Sequence, residues 1–302
     1  MEWSVGILMD KGTSIQLRRL IPSALLLVAE IVVAVVLSLT LTPSRKGFVV
    51  YDATLNGPYQ PDSSIPFWVA IVVPLVSLLL SIILRHRHHL RGVTGDAPWI
   101  LFFATAGVTT AIVTEVFKNV VGRYRPDWLA RCVPSDVGVV SIDAFGATGA
   151  DNPTCTNNAI SESKLEDGHK SFPSGHSSTA FSLGTVVVFY ACWWISESRG
   201  KTPTMMTAWR RAVLEVWSAL QIAWAFAVAS SRVIDNKHHV SDVAAGGLIG
   251  TCFGLLYSYR AWIEAGPPEG RPEDDGGGGV DEDEDEPLHN VSDSERYILQ
   301  QE

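Results

Sequence analysis

The sequence predicts an all-α integral membrane protein: a six-helix bundle with its chemistry-bearing residues gathered at the non-cytosolic membrane surface. Two observations give the fold class. Hydrophobic residues make up 47% of the 302 and charged residues only 18%, and the apolar residues are collected into blocks rather than spread at helical period. No alternating pattern is long enough to build a barrel. A third observation gives the site: three short polar segments, each abutting an apolar run, carry cations, histidines and a carboxylate.

The six runs cover about 20–41, 66–84, 98–117, 177–195, 212–230 and 240–259. Each approaches the ~20 residues that cross ~30 Å of hydrocarbon at ~1.5 Å per residue. The fourth and sixth hold small residues, among them Ser177, Ser178, Gly184, Gly246, Gly247, Gly250 and Gly254, which let membrane helices approach closely. Residues 1–19 are mixed and polar. They contain no short apolar stretch ending in a small-residue cleavage site, so the first run is expected to stay as an uncleaved anchor.

Flanking lysines and arginines orient the bundle. Lys11, Arg18 and Arg19 precede the first run; Arg85, Arg87 and Arg91 lie between the second and third; Arg199, Lys201, Arg210 and Arg211 lie between the fourth and fifth. An even number of spans puts these segments and both termini on one side, the expected cytosol. Segments 42–65, 118–176 and 231–239 then face the lumen or exterior. The chain divides into a cytosolic N-terminal segment 1–19, the membrane domain 20–260, and a cytosolic tail 261–302. From Glu264 onward the chain has 14 acidic and 2 basic residues, a net −12 within a whole-chain −9, leaving +3 for the body. Gly276 to Gly279 and the acidic run Asp281 to Glu286 cannot bury enough apolar surface to offset chain entropy, so the tail is expected to be disordered. Ser292 and Ser294 among its acids are weak phosphorylation candidates. Asn152-Pro153-Thr154 is blocked as a glycosylation site by its proline, and Asn290 lies on the cytosolic side, so no N-glycan is expected.

The chemistry points to phosphate. The first segment runs from Lys118 to Arg125-Pro126, the second is Pro173-Ser174-Gly175-His176, and the third runs from Ser231-Arg232 through His238 to Asp242. A phosphoryl group in transfer carries charge on its equatorial oxygens, and Lys118, Arg125 and Arg232 can stabilise it without a metal. Arginine suits the role because its planar fork donates two parallel bonds to phosphate oxygens. Ser174 and Gly175 open the fourth run, where a helix start offers backbone N–H groups. His238 and Asp242 are four apart, so on a helix the carboxylate accepts from Nδ1–H and leaves Nε2 free to attack phosphorus. His239 has Val243 at the same offset and lacks that partner. His176 is the expected general acid for the leaving oxygen. Taken singly, each cation or histidine also suits an ordinary helix end at an interface; their joint occurrence on one side argues for a common site.

These residues and spacings resemble the complete three-part signature of the type 2 phosphatidic acid phosphatase superfamily. The motifs span 118–242, and the six-run layout extends the likeness over about 20–260. The strings GRYRPDWLARC and DGHKSFPSGHSS are most similar to fungal and plant lipid phosphate phosphatases, including those acting on diacylglycerol pyrophosphate and phosphatidate. The resemblance implies a six-helix core and a metal-independent hydrolase. It implies His238 as nucleophile, His176 as acid and base, Asp242 as orienter, and Lys118, Arg125, Ser174, Gly175 and Arg232 as phosphate ligands. It implies a phospholipid phosphate substrate in a bilayer, no cofactor and no nucleic-acid partner. Isoprenyl pyrophosphate or sphingoid-base phosphate hydrolysis is the alternative within the enzyme class, and a non-catalytic lipid-binding membrane protein the alternative outside it. A vanadium haloperoxidase shares a related constellation, and six spans argue against it. An endomembrane compartment or the plasma membrane is the expected location.

Cys192 and Cys252 fall inside apolar runs and read as packing residues. Cys132 and Cys155 lie in the long non-cytosolic segment, where an oxidising compartment permits a disulfide. His86, His88 and His89 sit among arginines without a neighbouring Cys or acid, and read as a basic solvated loop. Glu30, inside the first run, is either functional or faces a helix partner.

Overall fold

The computed structural model describes residues 11–44, 52–88, 95–132, 155, 157–196 and 205–266. It divides into two units, Met1–Glu269 and Gly270–Glu302, the second wholly outside the described residues. The tail, its serines, Asn152 and His89 likewise lie outside them.

Among the described residues eight α-helices follow one another: α1 (Lys11–Thr40), α2 (Phe67–His88), α3 (Ala97–Val121), α4 (Trp128–Cys132), α5 (Glu162–Asp167), α6 (Gly175–Ser196), α7 (Met205–Ile234) and α8 (Val240–Ala265), with a 3₁₀ turn at Ala53–Leu55. No strand occurs among the described residues. Six of the helices are long and apolar enough to cross a membrane: α1, α2, α3, α6, α7 and α8. They match the six expected runs but outlast them. α1 begins at Lys11 and α8 continues to Ala265. Lys, Gln, Arg and Glu end an apolar run yet are good helix formers, so backbone hydrogen bonding carries on past the hydrocarbon.

α6 is the hub. It packs against α8 and α7 most extensively, and also against α3 and α2. The α6–α8 contact is a matched rail. Ser174, Ser178 and Ser182 recur every four residues, and so do Gly246, Gly250 and Gly254 opposite them. A Cβ on those glycines would lie 2.5, 2.1 and 2.7 Å from the serine carbonyl oxygens. Only glycine permits this spacing, in which backbone nearly touches backbone. Across the other face of α6, Thr110 Oγ1 donates to Ser182 Oγ and Thr114 Oγ1 pairs with Ser178 Oγ, each at 3.0 Å. The apolar core (Trp99, Phe102, Val186, Tyr190, Trp193, Tyr257) fills the half of the bundle away from the site. The outer faces of α1, α2 and α7 expose residues such as Val28, Leu39, Trp68 and Phe226, as lipid-facing helices do.

At that far end the expectation for the His/Arg cluster needs correcting. His86 Nε2 is 2.8 Å from Asp96 Oδ2, and Asp96 also takes Arg85 Nη1 at 3.1 Å and the Tyr190 hydroxyl at 2.8 Å. Asp96 is ten residues along and only the helix turnback brings it close, so local sequence concealed the acid partner.

Candidate active site

One end of the bundle collects all three polar segments. α3 closes on Gly122, whose left-handed φ of 56° lets its N–H cap the Lys118 carbonyl at 3.0 Å and turns the chain sharply. Lys118 is thereby left in the last turn, with Arg123 and Arg125 in the loop beyond. α6 begins at Gly175 directly after Ser174, α7 delivers Arg232 from its last turn, and the following bend carries His238 before α8 starts at Val240. Lys118, Arg125, Gly175, His176, Arg232 and His238 line one cavity of about 770 Å³, a size that suits a substantial ligand. Ser174 and Asp242 lie just behind it, both fully buried.

His238 is held by a backbone group. Its Nδ1–H donates to the Ser171 carbonyl at 2.6 Å. A carbonyl only accepts, so Nδ1 carries the proton and Nε2 keeps its lone pair. The sequence reading gave this acceptor role to Asp242, which instead stands 4.0 Å from Nδ1. An i,i+4 contact needs helix from 238 to 242, whereas His238 precedes the helix and its N-cap, His239. Asp242 acts one step further back. Its Oδ2 accepts from the Ser171 hydroxyl at 2.6 Å and from His239 N–H at 3.0 Å, with His239 Nδ1 3.2 Å away. Its Oδ1 accepts from Arg123 Nη1 at 2.6 Å. Its own carbonyl takes the Ser174 N–H at 3.0 Å. The carboxylate thus locks Ser171, and Ser171 aims His238. His239, set aside for want of a partner, is a partner of Asp242 and caps α8.

The cations are held on carboxylates without being neutralised one for one. Arg125 donates Nε to the Asp167 carbonyl at 2.9 Å and Nη2 to Asp167 Oδ1 at 2.6 Å. Lys118 Nζ lies 3.5 Å from Glu115, which also receives Lys170 at 3.0 Å. A Cβ at Gly175 would sit 3.1 Å from Lys118 Nζ, so the glycine lets the ammonium reach the start of α6. Arg232 donates to Asp235 Oδ2 at 3.0 Å and through Nη1 to His176 Nε2 at 3.3 Å. The His176 ring also meets the Ile65 backbone and the edge of Phe67.

A cap closes over the cations. Arg131 forks onto Asp127 at 2.9 and 3.0 Å and reaches the Lys164 carbonyl at 2.7 Å, tying α4 to α5. Cys132 and Cys155 form a disulfide that joins this cap, with Leu55, Tyr124, Trp128 and Leu129 packed beneath. Cys192 and Cys252 lie outside this disulfide, at exposed positions of their helices, and not as the buried packing residues expected from their apolar runs. Among the described residues no group of three or more His, Cys, Asp or Glu side chains is arranged to hold a metal.

Burial lowers the His238 pKa well below the ordinary imidazole value, and the Arg125 and Lys118 charges lower it further. Burial alone raises the Asp167 carboxyl; Arg125, Arg131 and Lys118 outweigh it and leave it lowered. His238 is therefore neutral through the physiological range and protonates only in acid. NMR titration of the His238 ring is expected to show the neutral form persisting below about pH 6.5, with Arg125→Ala moving the midpoint upward. A midpoint at or above the ordinary value contradicts this account of the site.

Residues 97–264 match the PAP2 superfamily as a family. The chain belongs to the PAP2 superfamily. Over 214 residues it is 31% identical to diacylglycerol pyrophosphate phosphatase 1 of Saccharomyces cerevisiae, covering 69% of this chain and 68% of the yeast protein. Lipid phosphate phosphatase 2 of Arabidopsis thaliana is 30% identical over 260 residues, covering 82% and 78%. A probable diacylglycerol pyrophosphate phosphatase 1 of Schizosaccharomyces pombe is 29% identical over 244 residues, covering 77% and 76%. No solved structure gives a significant match.

In this PAP2 member, sequence reasoning missed Arg123, Ser171 and Asp235. Arg123 lies inside the first motif, two residues before Arg125, and its charge was readable; its target, 119 residues away, was not. Asp235 anchors Arg232 at i,i+3 and also accepts from the Ser64 N–H at 2.9 Å. The Arg232–Asp235 spacing was available as a local pairing signal. Ser171 acts through its carbonyl and has no sequence signal.

Proposed function

We propose that the protein is a lipid phosphate phosphatase that removes the terminal phosphate of diacylglycerol pyrophosphate, phosphatidate or lysophosphatidate through a phosphohistidine, without a metal. The observation that carries the reading is the His238 tautomer: Nδ1–H on the Ser171 carbonyl leaves the Nε2 lone pair in a cavity shared with Lys118, Arg125 and Arg232. Nε2 attacks phosphorus as the P–O bond to the leaving group breaks. His176 gives that oxygen its proton. On substrate binding Arg232 redirects to a phosphate oxygen the hydrogen bond it donates to His176 Nε2 in this arrangement, its proton staying on the guanidinium. The released Nε2 takes up the ionisable proton of the phosphate monoanion and hands it to the leaving oxygen. In the second half, His176 takes a proton from water, the hydroxide attacks phosphorus, the P–N bond breaks, and His238 is neutral again. Charge on the equatorial oxygens is met by the cations and by the N–H groups at the start of α6.

The names of the yeast, fission yeast and plant relatives support this substrate class. Sidedness rests on charge. Arg18 and Arg19, Arg85, and Arg210 and Arg211 all fall at helix ends opposite the site, so a cytosolic location for them makes the site lumenal or extracellular. The host membrane is then an endomembrane or the plasma membrane. The purified protein, assayed on a panel of lipid phosphates and pyrophosphates in excess chelator, is expected to release inorganic phosphate at an undiminished rate, and vanadate to inhibit. An absolute requirement for added magnesium, or release confined to isoprenyl or sphingoid-base substrates, overturns the reading.

A further inference from the structure

α1 is the least buried of the spanning helices: 6% of its apolar window is covered, against 28% or more in every other span. Yet it supplies Ala34, Leu37 and Ser38 to the wall of the catalytic cavity, facing Ala111 and Ile112 of α3. What keeps so exposed a helix in register is therefore a question about substrate binding.

Two polar fastenings hold it. At the site end Ser44 N–H donates to the Asn119 carbonyl at 2.8 Å, and the bare backbone of Gly122 lets Ser44 come close, since a Cβ there would be 2.0 Å from the Ser44 oxygen. The other lies one turn deeper than the cavity wall. Glu30 Oε2 accepts from Thr109 Oγ1 at 3.0 Å, and Thr109 Oγ1 is 2.8 Å from the Tyr257 hydroxyl on α8. Thr109 has one hydroxyl proton and gives it to Glu30, so Tyr257 donates to Thr109. The relay crosses α1, α3 and α8. Between the two fastenings the α1 hydroxyls are turned inward on their own helix: Ser38 donates to Val35 and Thr40 to Val36. Glu30, Ala34, Leu37 and Ser38 stand at i, i+4, i+7 and i+8, a single helical face. An acid within a membrane span is costly to keep, and this one touches no residue of the catalytic cluster.

The cavity has the polarity order of a lipid phosphate. Its cationic end is Lys118, Arg125 and Arg232, and its α1–α3 wall is Ala34, Leu37, Ala111 and Ile112. Beyond that wall α1 turns Val36 and Leu39 outward. We propose that Glu30 is a positioning residue that pins α1 to α3 and α8, and so sets the width of the α1–α3 seam in which the substrate's acyl chains lie. The proposal rests on the phosphatase reading for its substrate, but the pin itself is measurable without turnover.

The test compares a long-chain phosphatidate in mixed micelles with phenyl phosphate, which has no chains. Glu30→Ala is expected to raise the lipid KM about threefold to twentyfold, the range an interhelical hydrogen bond in a membrane protein spans, with lipid kcat and phenyl phosphate hydrolysis little changed. Glu30→Gln, whose amide oxygen still accepts from Thr109, is expected to restore the lipid KM. Thr109→Val removes only the relay hydroxyl. It is expected to repeat the KM effect, not to add to that of Glu30→Ala, and to carry the test should Glu30→Ala fail to fold. Spin labels at Leu39 and Phe117 are expected to show a broadened distance in Glu30→Ala and not in Glu30→Gln. An unchanged lipid KM and label distance in Glu30→Ala, or equal losses on both substrates with Gln no better than Ala, overturn the proposal. A wild-type protein that hydrolyses neither substrate defeats the phosphatase reading, and the label distances then still decide the pin.

Discussion

Replacing His238 by alanine is expected to lower phosphate release by on the order of 10⁴-fold or more, the scale seen when a covalent nucleophile is removed, while the protein still folds. The folding half of the claim follows from position. His238 lies in the bend between α7 and α8, outside the aromatic core and outside the α6–α8 rail, and makes one side-chain hydrogen bond in the structure, to the Ser171 carbonyl. The catalytic half follows from the tautomer: no other imidazole lining the cavity has its free nitrogen unclaimed, since the His176 Nε2 accepts from Arg232. Two measurements check it together. Detergent-purified His238→Ala should match the wild type in size-exclusion profile and melting temperature, and rapid acid-free quenching of the wild type should trap a phosphoryl group on the His238 peptide. Near-normal turnover by the folded variant, or phosphate trapped on a different residue, rules His238 out as nucleophile.

The contrast between Asp242 and Ser171 shows what the sequence could carry. Side chains with chemistry at helix ends were legible because each sits beside an apolar run, and the run fixes which end of the bundle it occupies. Lys118, His176, Arg232 and His238 needed only that. The six helices were legible for the same reason, since hydrocarbon imposes a length and a polarity on each. Contacts made through backbone, or across long separations, left no mark. The Ser171 carbonyl that orients His238 belongs to a residue any spacing rule would pass over, and the Arg123–Asp242 pair joins positions 119 apart in sequence. The short helices α4 and α5 escaped notice because five or six residues give no readable period. Glu30 was visible as an anomaly in an apolar run, but Thr109 and Tyr257, its relay, are unremarkable until three helices are laid side by side. The pairing of Cys132 with Cys155 was legible as a candidate because both cysteines lie in the one long segment between the third and fourth apolar runs.

A single methyl group at Gly250 is expected to damage this protein as much as many losses of catalytic groups, while the same methyl at Gly247, three residues earlier, should pass almost unnoticed. Both glycines lie in α8 and both are buried. The difference is what a Cβ meets. At Gly247 the nearest atoms belong to the Phe181 ring at 3.5 Å, ordinary contact with a side chain that can turn slightly. At Gly250 the nearest atom is the Ser178 carbonyl oxygen at 2.1 Å, with Ser178 backbone carbons at 2.9 and 3.0 Å. Backbone cannot rotate out of the way, so α6 and α8 must separate. Overpacking of this kind typically costs about 1–3 kcal/mol, occasionally more, and here it acts where the two helices deliver the site. The Ser174 N–H to Asp242 carbonyl bond, 3.0 Å, bridges the same seam, four residues before Ser178 and eight before Gly250. Moving the helices apart therefore also pulls Asp242 from Ser171 and frees His238 to swing. Gly250→Ala should lower the melting temperature by several degrees, about what 1–3 kcal/mol amounts to in a domain of this size. It should also reduce kcat on lipid and water-soluble phosphates alike, unlike the chain-dependent effect expected at Glu30. Gly247→Ala should stay near wild type in both. Equal behaviour of the two variants would mean that α6 and α8 are not in backbone contact, and the positioning of His238 through Asp242 and Ser171 would lose its mechanical basis.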